Sequence, residues 1–455
     1  MRFTSLCVTD PDELVFGRAP KPVDCGRGLR VGAGTVYPEV NFTLPTMPLD
    51  ESTRLETLRI YEEMARTVVG RAQSLRAPGL VVEFEHLPPM TESPDWGAEI
   101  TRRLADVLRE AHDTIGLPCA LRVTPVDVRV GGSRPALRDG EGWQALRQSF
   151  ALCAEAGADI LSVESIGGKE VSDEALLAGD VEGVVFALGP LCARDMAWLW
   201  DEIVSICRSH DVVAGGDSAC GFANTAMQLA HQRLLPETLA AVVRAMGAAR
   251  SLVAFERGAV GPSKDCAYEG PVLKAIAGCP LSMEGKAAAC AHFSPAGNIT
   301  ASMCDLWSNE SVQNVPLLSG SAPETFAEVL IYDCRLMNEA LRRGQEKALR
   351  DLFVASDVYG SPQALVLSPE AAVAIGGAIV SEEDDYRRTV RAALAAASLI
   401  REAVDASRLT LSAAERRWLE RIEATLKGLP QDEGELRERL APTYGHLYDP
   451  ASYGL

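Results

Sequence analysis

The chain has 455 residues, 47% of them hydrophobic and 24% charged. That exceeds the roughly 250–300 residues at which a single core usually stops growing, so one large barrel-type domain with additions, or two domains, is expected. Acidic residues outnumber basic ones by 63 to 44, for a net charge of −19. A surface that acidic repels phosphate backbones and anionic lipid, which argues against nucleic-acid and membrane partners.

No run of about 18–20 uncharged apolar residues is present for a membrane span. The first sixteen residues carry Asp10, Asp12 and Glu13 and lack the apolar centre of a secretory signal, so a cytoplasmic location is expected. In a reducing compartment the twelve cysteines are no disulfide framework. With no Cys-x-x-Cys pair they encode neither a zinc ribbon nor a thioredoxin-type site. Most are expected to be small buried hydrophobes. The six histidines are not paired at helical ligand spacing, which argues against a histidine-rich metal centre.

In chain order, residues 1–78 read as an N-terminal extension packed on the domain that follows. Glycine and proline crowd residues 17–48, and Gly26-Arg-Gly28 lacks the strand–turn–helix context of a dinucleotide site, so it reads as a packed loop. From residue 79 to 365, short apolar runs alternate with longer amphipathic ones. Strands are expected at 80–84, 120–124, 160–163, 183–188, 212–216, 252–255, 280–283 and, more weakly, 315–318. Helices are expected between them, at 95–115, 143–156, 191–208 and 223–250. Continuous apolar strands separated by helices mean a parallel sheet covered on both faces. About eight such units suit a closed (β/α)8 TIM barrel, an α/β fold, with an open doubly wound sheet as the alternative. Residues 366–455 read as helices packed on the barrel or on a partner. Ser412-Ala-Ala-Glu415 is a capping box, and Leu411, Trp418, Leu419, Ile422 and Leu426 mark one apolar face.

In a parallel barrel the chemistry gathers at the C-terminal ends of the strands. Those positions carry Glu83 and Glu85, Asp127, Glu164, Cys220, Cys266 and Glu284, with His292 farther on. Two thiolates and a carboxylate converging there would form a three-ligand site with an open fourth position, the arrangement of catalytic zinc, and thiolates disfavour hard cations. Two loop cysteines are as readily buried and incidental, and a carboxylate such as Glu164 near a helix start is as readily a cap or an ion-pair partner. Carboxyls crowded in one pocket raise each other's pKa, which makes Glu83, Glu85, Asp127 and Glu284 candidate general acids. Pairing with Arg122, Arg257 and Lys286 is the alternative.

Four segments carry a family resemblance: Val15-Phe-Gly-Arg-Ala-Pro-Lys-Pro-Val23, Gly34-Thr-Val-Tyr-Pro-Glu-Val-Asn-Phe-Thr-Leu-Pro45, Gly261-Pro-Ser-Lys-Asp-Cys-Ala-Tyr-Glu269 and Gly278-Cys-Pro-Leu-Ser-Met-Glu-Gly-Lys286. They resemble the methanol:corrinoid methyltransferases, specifically the zinc-containing, methanol-activating subunit. The resemblance is strong from about residue 10 to 360 and looser in the helical C-terminus. It implies a (β/α)8 barrel holding zinc on Glu164, Cys220 and Cys266, and methyl transfer from methanol to Co(I) of a corrinoid (cobalamin). It also implies that a small corrinoid-binding partner carries this cofactor, in a complex with two copies of each subunit around a homodimer core.

Hydroxide leaves carbon poorly, so a Lewis acid at the oxygen and a general acid among Glu83, Glu85, Asp127 and Glu284 are the expected devices. Three other readings are weighed against this one: a corrinoid-linked zinc methyltransferase for another small alcohol or O-methyl donor, a metal-free decarboxylase-like barrel using only the acidic rim, and a non-catalytic scaffold.

Overall fold

The alternation of strand and helix patterns produces a parallel sheet in the computed structural model, which describes residues 1–129, 136–264, 268–311, 316–318 and 320–455. An antiparallel ribbon of β1 (Arg18–Asp24) and β2 (Arg30–Ala33) comes first. The main sheet comprises β3 (Tyr37–Phe42), β4 (Leu80–Glu85), β5 (Cys119–Thr124), β6 (Ile160–Val163), β7 (Val213–Asp217), β8 (Ser282–Glu284) and β9 (Leu306–Ser311). Its order is β7-β6-β5-β4-β3-β9-β8, and every pairing is parallel.

The two edges, β7 and β8, are bridged by an extended segment at residues 259–264. Val260 N–H donates to the Ala214 carbonyl at 2.9 Å, and Ser263 N–H donates to the Pro280 carbonyl at 3.2 Å. Ser263 also pairs in parallel with Leu281. The ring is therefore TIM-barrel-like, with seven strands and one irregular stave, as the α/β barrel reading expects. β10 (Pro316–Leu317) and β11 (Gly320–Ser321) form a small hairpin outside it.

Strand register decides what faces inward. Pairing aligns Glu39 with Val81, Asn41 with Glu83, Glu83 with Arg122, Glu85 with Thr124, Asn41 with Glu310 and Glu284 with Ser308. Side chains alternate along a strand, so these residues share the interior face. At the floor Val81, Ala120, Ile160 and Leu306 form an apolar cluster with Cys25, Leu29 and Val31 of the β1–β2 ribbon, which plugs the barrel from below. Above it Arg122, fully buried, donates to Glu39 at 3.0 Å, to Ser162 Oγ at 2.8 Å and to the Pro262 carbonyl at 3.0 Å. Ser282 Oγ donates to the other Glu39 oxygen at 3.0 Å. Such a pair is tolerated inside because each charge is met by partners that offset its desolvation.

Four sequence expectations change, for two physical reasons. The runs at 183–188 and 252–255 are helical. The first lies in the helix Val181–Phe186 and the π-helical Ala187–Leu191, which continues into the helix Cys192–His210. The second is the last turn of the helix Glu237–Arg257. Both are wholly buried, and a short apolar run buried all round has no period to separate helix from strand. Conversely, β3 lies in the segment read as a packed loop of the extension, and β9 replaces the run at 315–318, of which Val315 is outside the described residues. These strands read as polar because their inward positions are Glu39, Asn41, Ser308 and Glu310.

The C-terminal helices pack on the barrel's helical layer. Helix Glu237–Arg257 is the one described helix long and apolar enough to cross a membrane, and here its apolar stretch is entirely buried. It packs most extensively on the helix Asp385–Asp405, whose buried Ala392, Ala393, Ala396 and Ala397 permit close approach. Ser412 caps the helix Ala413–Lys427, accepting from Glu415 N–H at 3.2 Å. The Glu415 carboxylate does not return to close the box. It accepts instead from the N–H groups of Glu237 at 2.9 Å and Thr238 at 3.1 Å, capping a helix whose own N-cap is Pro236.

Candidate active site

The strand ends on the C-terminal side of the barrel bring most of the expected residues together. β6 and β7 are neighbours, with Val163 opposite Asp217. Glu164 and Cys220 follow by one and three residues, so they leave adjacent strands on one rim. Lys264 ends the irregular stave and is 3% exposed. Its ammonium lies 2.9 Å from Glu83, 3.8 Å from Glu85 and 3.7 Å from Glu164. Glu83 also accepts from Thr124 Oγ1 at 2.7 Å, and Glu85 from Asn41 Nδ2 at 2.8 Å. Cys266 lies outside the described residues.

Cys220 opens the helix Cys220–His231. That position favours a thiolate, because the first-turn N–H groups and the helix dipole stabilise negative charge. Asn224, one turn on, donates Nδ2–H to Cys220 Sγ at 2.9 Å. The buried Glu269 braces the turn before it, accepting from Ala219 N–H at 2.8 Å and from Ser251 Oγ at 2.7 Å. Burial raises the Glu269 carboxyl above the usual range. The other cysteines behave as the composition suggests. Nine of the eleven described are buried, and burial is the largest cause that pushes the thiols of Cys25, Cys153, Cys192, Cys207 and Cys279 up to about 12.

The loop after Glu164 is held from several directions. Ser165 N–H donates to Asp217 at 3.2 Å, and Arg250 donates to both the carbonyl and Oγ of Ser165 at 2.7 Å. Ile166 N–H donates to Asp127 Oδ2 at 3.1 Å. Gly168 N–H donates to the hydroxyl of Tyr453 at 2.8 Å, so the C-terminal tail reaches the site's support. Asp127 itself is engaged by Arg129 at 2.7 Å, and Arg129 also grips Asp195 at 2.8 Å, all three side chains being fully buried. The structure thus places Asp127 in a clamp under the Glu164 loop, while Glu83, Glu85 and Glu284 face the interior.

Across the irregular stave from β7, Glu284 accepts from the phenol of Tyr268 and faces His292 Nδ1 at 2.8 Å. His292 Nε2 faces Glu310 at 3.3 Å. These three side chains are also the one group of possible metal donors among the described residues, with donor atoms within 4.8 Å of one another. Hydrogen bonding to Glu284 and Glu310 raises the imidazole to about 10, so it is protonated at neutral pH. Arg257 pairs with Asp201 and Lys286 with Asp333, so neither neutralises the interior carboxylates.

Comparison with known proteins places this geometry. The family model described as methanol-cobalamin methyltransferase B subunit matches residues 1–454. A methanol–corrinoid protein co-methyltransferase of Methanosarcina barkeri (strain Fusaro / DSM 804) is 38% identical over the whole chain and 99% of its own length. The chain belongs to the methanol-cobalamin methyltransferase B subunit family. The crystal structure of the methanol:cobalamin methyltransferase complex MtaBC from Methanosarcina barkeri contains a chain that superimposes with a TM-score of 0.96. The identity is 38%, with full coverage of both chains.

Within this methyltransferase family fold, several residues of the site escape a sequence reading. Lys264 sits in a quoted motif, yet nothing in its neighbourhood reveals that three carboxylates meet it. Asn224 has a signal, its i+4 spacing from Cys220. Tyr268, Glu310 and Tyr453 have none, because their partners are 16, 18 and 285 residues away.

Proposed function

We propose that this chain is the zinc-dependent, methanol-activating subunit that moves the methyl group of methanol to Co(I) of a corrinoid carried by a small partner protein. The observation that carries the reading is the convergence of Glu164 and Cys220 on one rim, with Lys264, two residues before Cys266, in contact with Glu164. Glu164, Cys220 and Cys266 would hold the metal. Two thiolates and one carboxylate form a borderline-soft, tetrahedral donor set that leaves one position open, so the chemistry of the residues fits zinc. When bound, zinc supplies Lewis-acid polarisation of the methanol oxygen, easing scission of the carbon–oxygen bond.

The chain's own residues do the rest. The helix N-terminus and Asn224 favour the Cys220 thiolate, and Lys264 offsets part of the charge that three anionic donors bring together. Glu83 is committed to Lys264 and Thr124 and Asp127 to Arg129, so the inward Glu284 together with the protonated imidazole 2.8 Å from it is the proposed general-acid pair. The open mouth is the face from which a partner-borne corrinoid would reach the site, and docking of that partner would exclude water. That face is the proposed partner surface, in a complex with two copies of each subunit.

Metal analysis by mass spectrometry tests the reading. The wild type should contain about one zinc per chain, and Glu164→Gln, Cys220→Ala and Cys266→Ala should each lose most of it. A wild type purified under metal-retaining conditions that holds no zinc would overturn the proposal. Methylation of free cob(I)alamin by the isolated chain, with methanol against larger alcohols and methyl ethers, identifies the donor.

A further inference from the structure

We propose that Tyr453 is a positioning residue for the metal site, because the C-terminal tail straps down the helix that links the Glu164 loop to the Cys220 helix. This rests on the function proposed above, in which Glu164 and Cys220 are zinc ligands.

Three of the chain's nine tyrosines lie in its last twelve residues. A chain terminus frays unless something ties it down. Here Tyr444, Tyr448 and Tyr453 are 1%, 3% and 1% exposed. All three engage one stretch of chain. The Tyr453 hydroxyl accepts from Gly168 N–H at 2.8 Å, and the Tyr444 hydroxyl donates to Asp180 Oδ2 at 2.7 Å. Between them Tyr448 packs edge-on against Phe186, with ring centroids 5.6 Å apart, and meets Tyr453 at 6.0 Å. Asp449 fixes the turn that presents Tyr453, accepting from Ser452 N–H at 3.3 Å and from Ser452 Oγ at 3.1 Å.

Gly168 and Asp180 bracket the helix Lys169–Ala178, so the tail grips this helix just outside both of its ends. The helix begins five residues after Glu164. On its flank Lys169 donates to Thr225 Oγ1 at 3.3 Å, and a Cβ on Gly221 would stand 3.3 Å from Lys169 Cε. Thr225 and Gly221 belong to the helix that Cys220 opens. One short helix thus follows the segment of one proposed ligand and touches the helix of another.

The rest of the Glu164 loop is held from the barrel and its helices. Asp217, Arg250 and Asp127 engage Ser165 and Ile166, and Cys192 Sγ donates to the Gly167 carbonyl at 2.9 Å. Tyr453 is the tether that comes from the tail. Gly168 sits at φ +82°, and a Cβ there would stand 3.0 Å from the Ala187 carbonyl oxygen, so the backbone has little room to turn. Removing the phenol hydroxyl leaves a buried N–H without its acceptor, which favours a shifted loop. Groups that orient metal ligands in this way tune how tightly the metal is held.

The test uses the full chain loaded with zinc. Tyr453→Phe keeps the ring and removes the hydroxyl. It should speed zinc release to a chromogenic chelator about fivefold to tenfold. Amide hydrogen exchange across residues 164–178 should quicken by about the same factor, with the floor strands unchanged. Tyr444→Phe, at the other end of the helix, should act in the same direction by about twofold to fivefold, and it serves if Tyr453→Phe misfolds. Leu29→Ala, which weakens the barrel floor far from this helix, controls for plain loss of stability and should leave zinc release as in wild type.

Zinc release and exchange in Tyr453→Phe within about twofold of wild type overturn the positioning role. So does faster exchange spread evenly over the chain, or equal acceleration of zinc release in Leu29→Ala, because Tyr453 would then act through overall stability. A wild type that holds no zinc overturns the proposed function instead, while the exchange comparison still decides whether the tail holds the loop.

Discussion

Arg129 holds two buried carboxylates at once, and one of them supports the loop that presents Glu164. Removing the guanidinium leaves Asp127 and Asp195 charged, adjacent and out of water. Arg129→Met should therefore cost about 3–5 kcal/mol in urea unfolding, and a value near zero would mean the pair is solvated after all. His86 makes the opposite case, a histidine kept neutral. Packed against Phe84 and bonded to Thr91 at 3.0 Å, it is pushed by burial down to about 3. Below its ordinary value of 6.5 the unfolded chain takes up a proton that the folded chain refuses. This group's contribution to stability is thus intact above 6.5 and declines as the pH falls towards 3. Unfolding free energies measured from pH 7 down to about 5 should fall more steeply for wild type than for His86→Gln.

At the scale of elements, the barrel depends on a stave that is not a strand. Residues 259–264 bridge β7 and β8 through a few hydrogen bonds and deliver Lys264 to its three carboxylates. Gly261 makes the turn at φ +90°, and a Cβ there would stand 2.9 Å from the Pro280 carbonyl oxygen. Gly261→Ala meets both a backbone conformation that side chains resist and a contact with rigid backbone. It should cost about 1–3 kcal/mol and, by displacing Lys264 and the segment that follows, lower zinc retention. Unchanged zinc content at reduced stability would show that the stave closes the barrel without positioning the proposed metal site.

Across the whole molecule, stability and chemistry occupy opposite ends of one barrel. The floor is sealed by Leu29, Val31 and Cys25 of the β1–β2 ribbon against Val81, Ala120, Ile160 and Leu306, all at most 1% exposed. The mouth is a ring of carboxylates, a lysine and a cysteine. Leu29→Ala should destabilise by about 2–4 kcal/mol through lost contact and cavity formation, while leaving zinc content and methyl transfer per folded molecule unchanged. A parallel loss of both would mean that the floor and the mouth are mechanically coupled. The C-terminal helices join this frame through Glu415 on the helix Glu237–Arg257 and Tyr453 beneath Gly168.

Local pattern was enough for the elements that have a period or a clear face. β4 through β7 and the helices Pro94–Ile115, Gly140–Ala156 and Asp385–Asp405 are legible because continuous apolar runs mark strands covered on both faces and amphipathic spacing marks helices buried on one. Glu164 and Cys220 are legible in the same sense, as residues following strands, whereas Cys266 lies outside the described residues and the run read as its strand is helical; the family these motifs resemble is the family to which the chain belongs. β3 and β9 escaped because a barrel with a polar interior turns Glu39, Asn41, Ser308 and Glu310 inward, reversing the usual sign of burial. The runs at 183–188 and 252–255 misled because complete burial erases periodicity. What the tertiary structure alone decided is which charges meet. Lys264 joins Glu83, Glu85 and Glu164, Arg129 withdraws Asp127 into a clamp, and His292 spans Glu284 and Glu310. Those partnerships are set by strand register and barrel closure, which bring together residues whose separation along the chain carries no signal of contact.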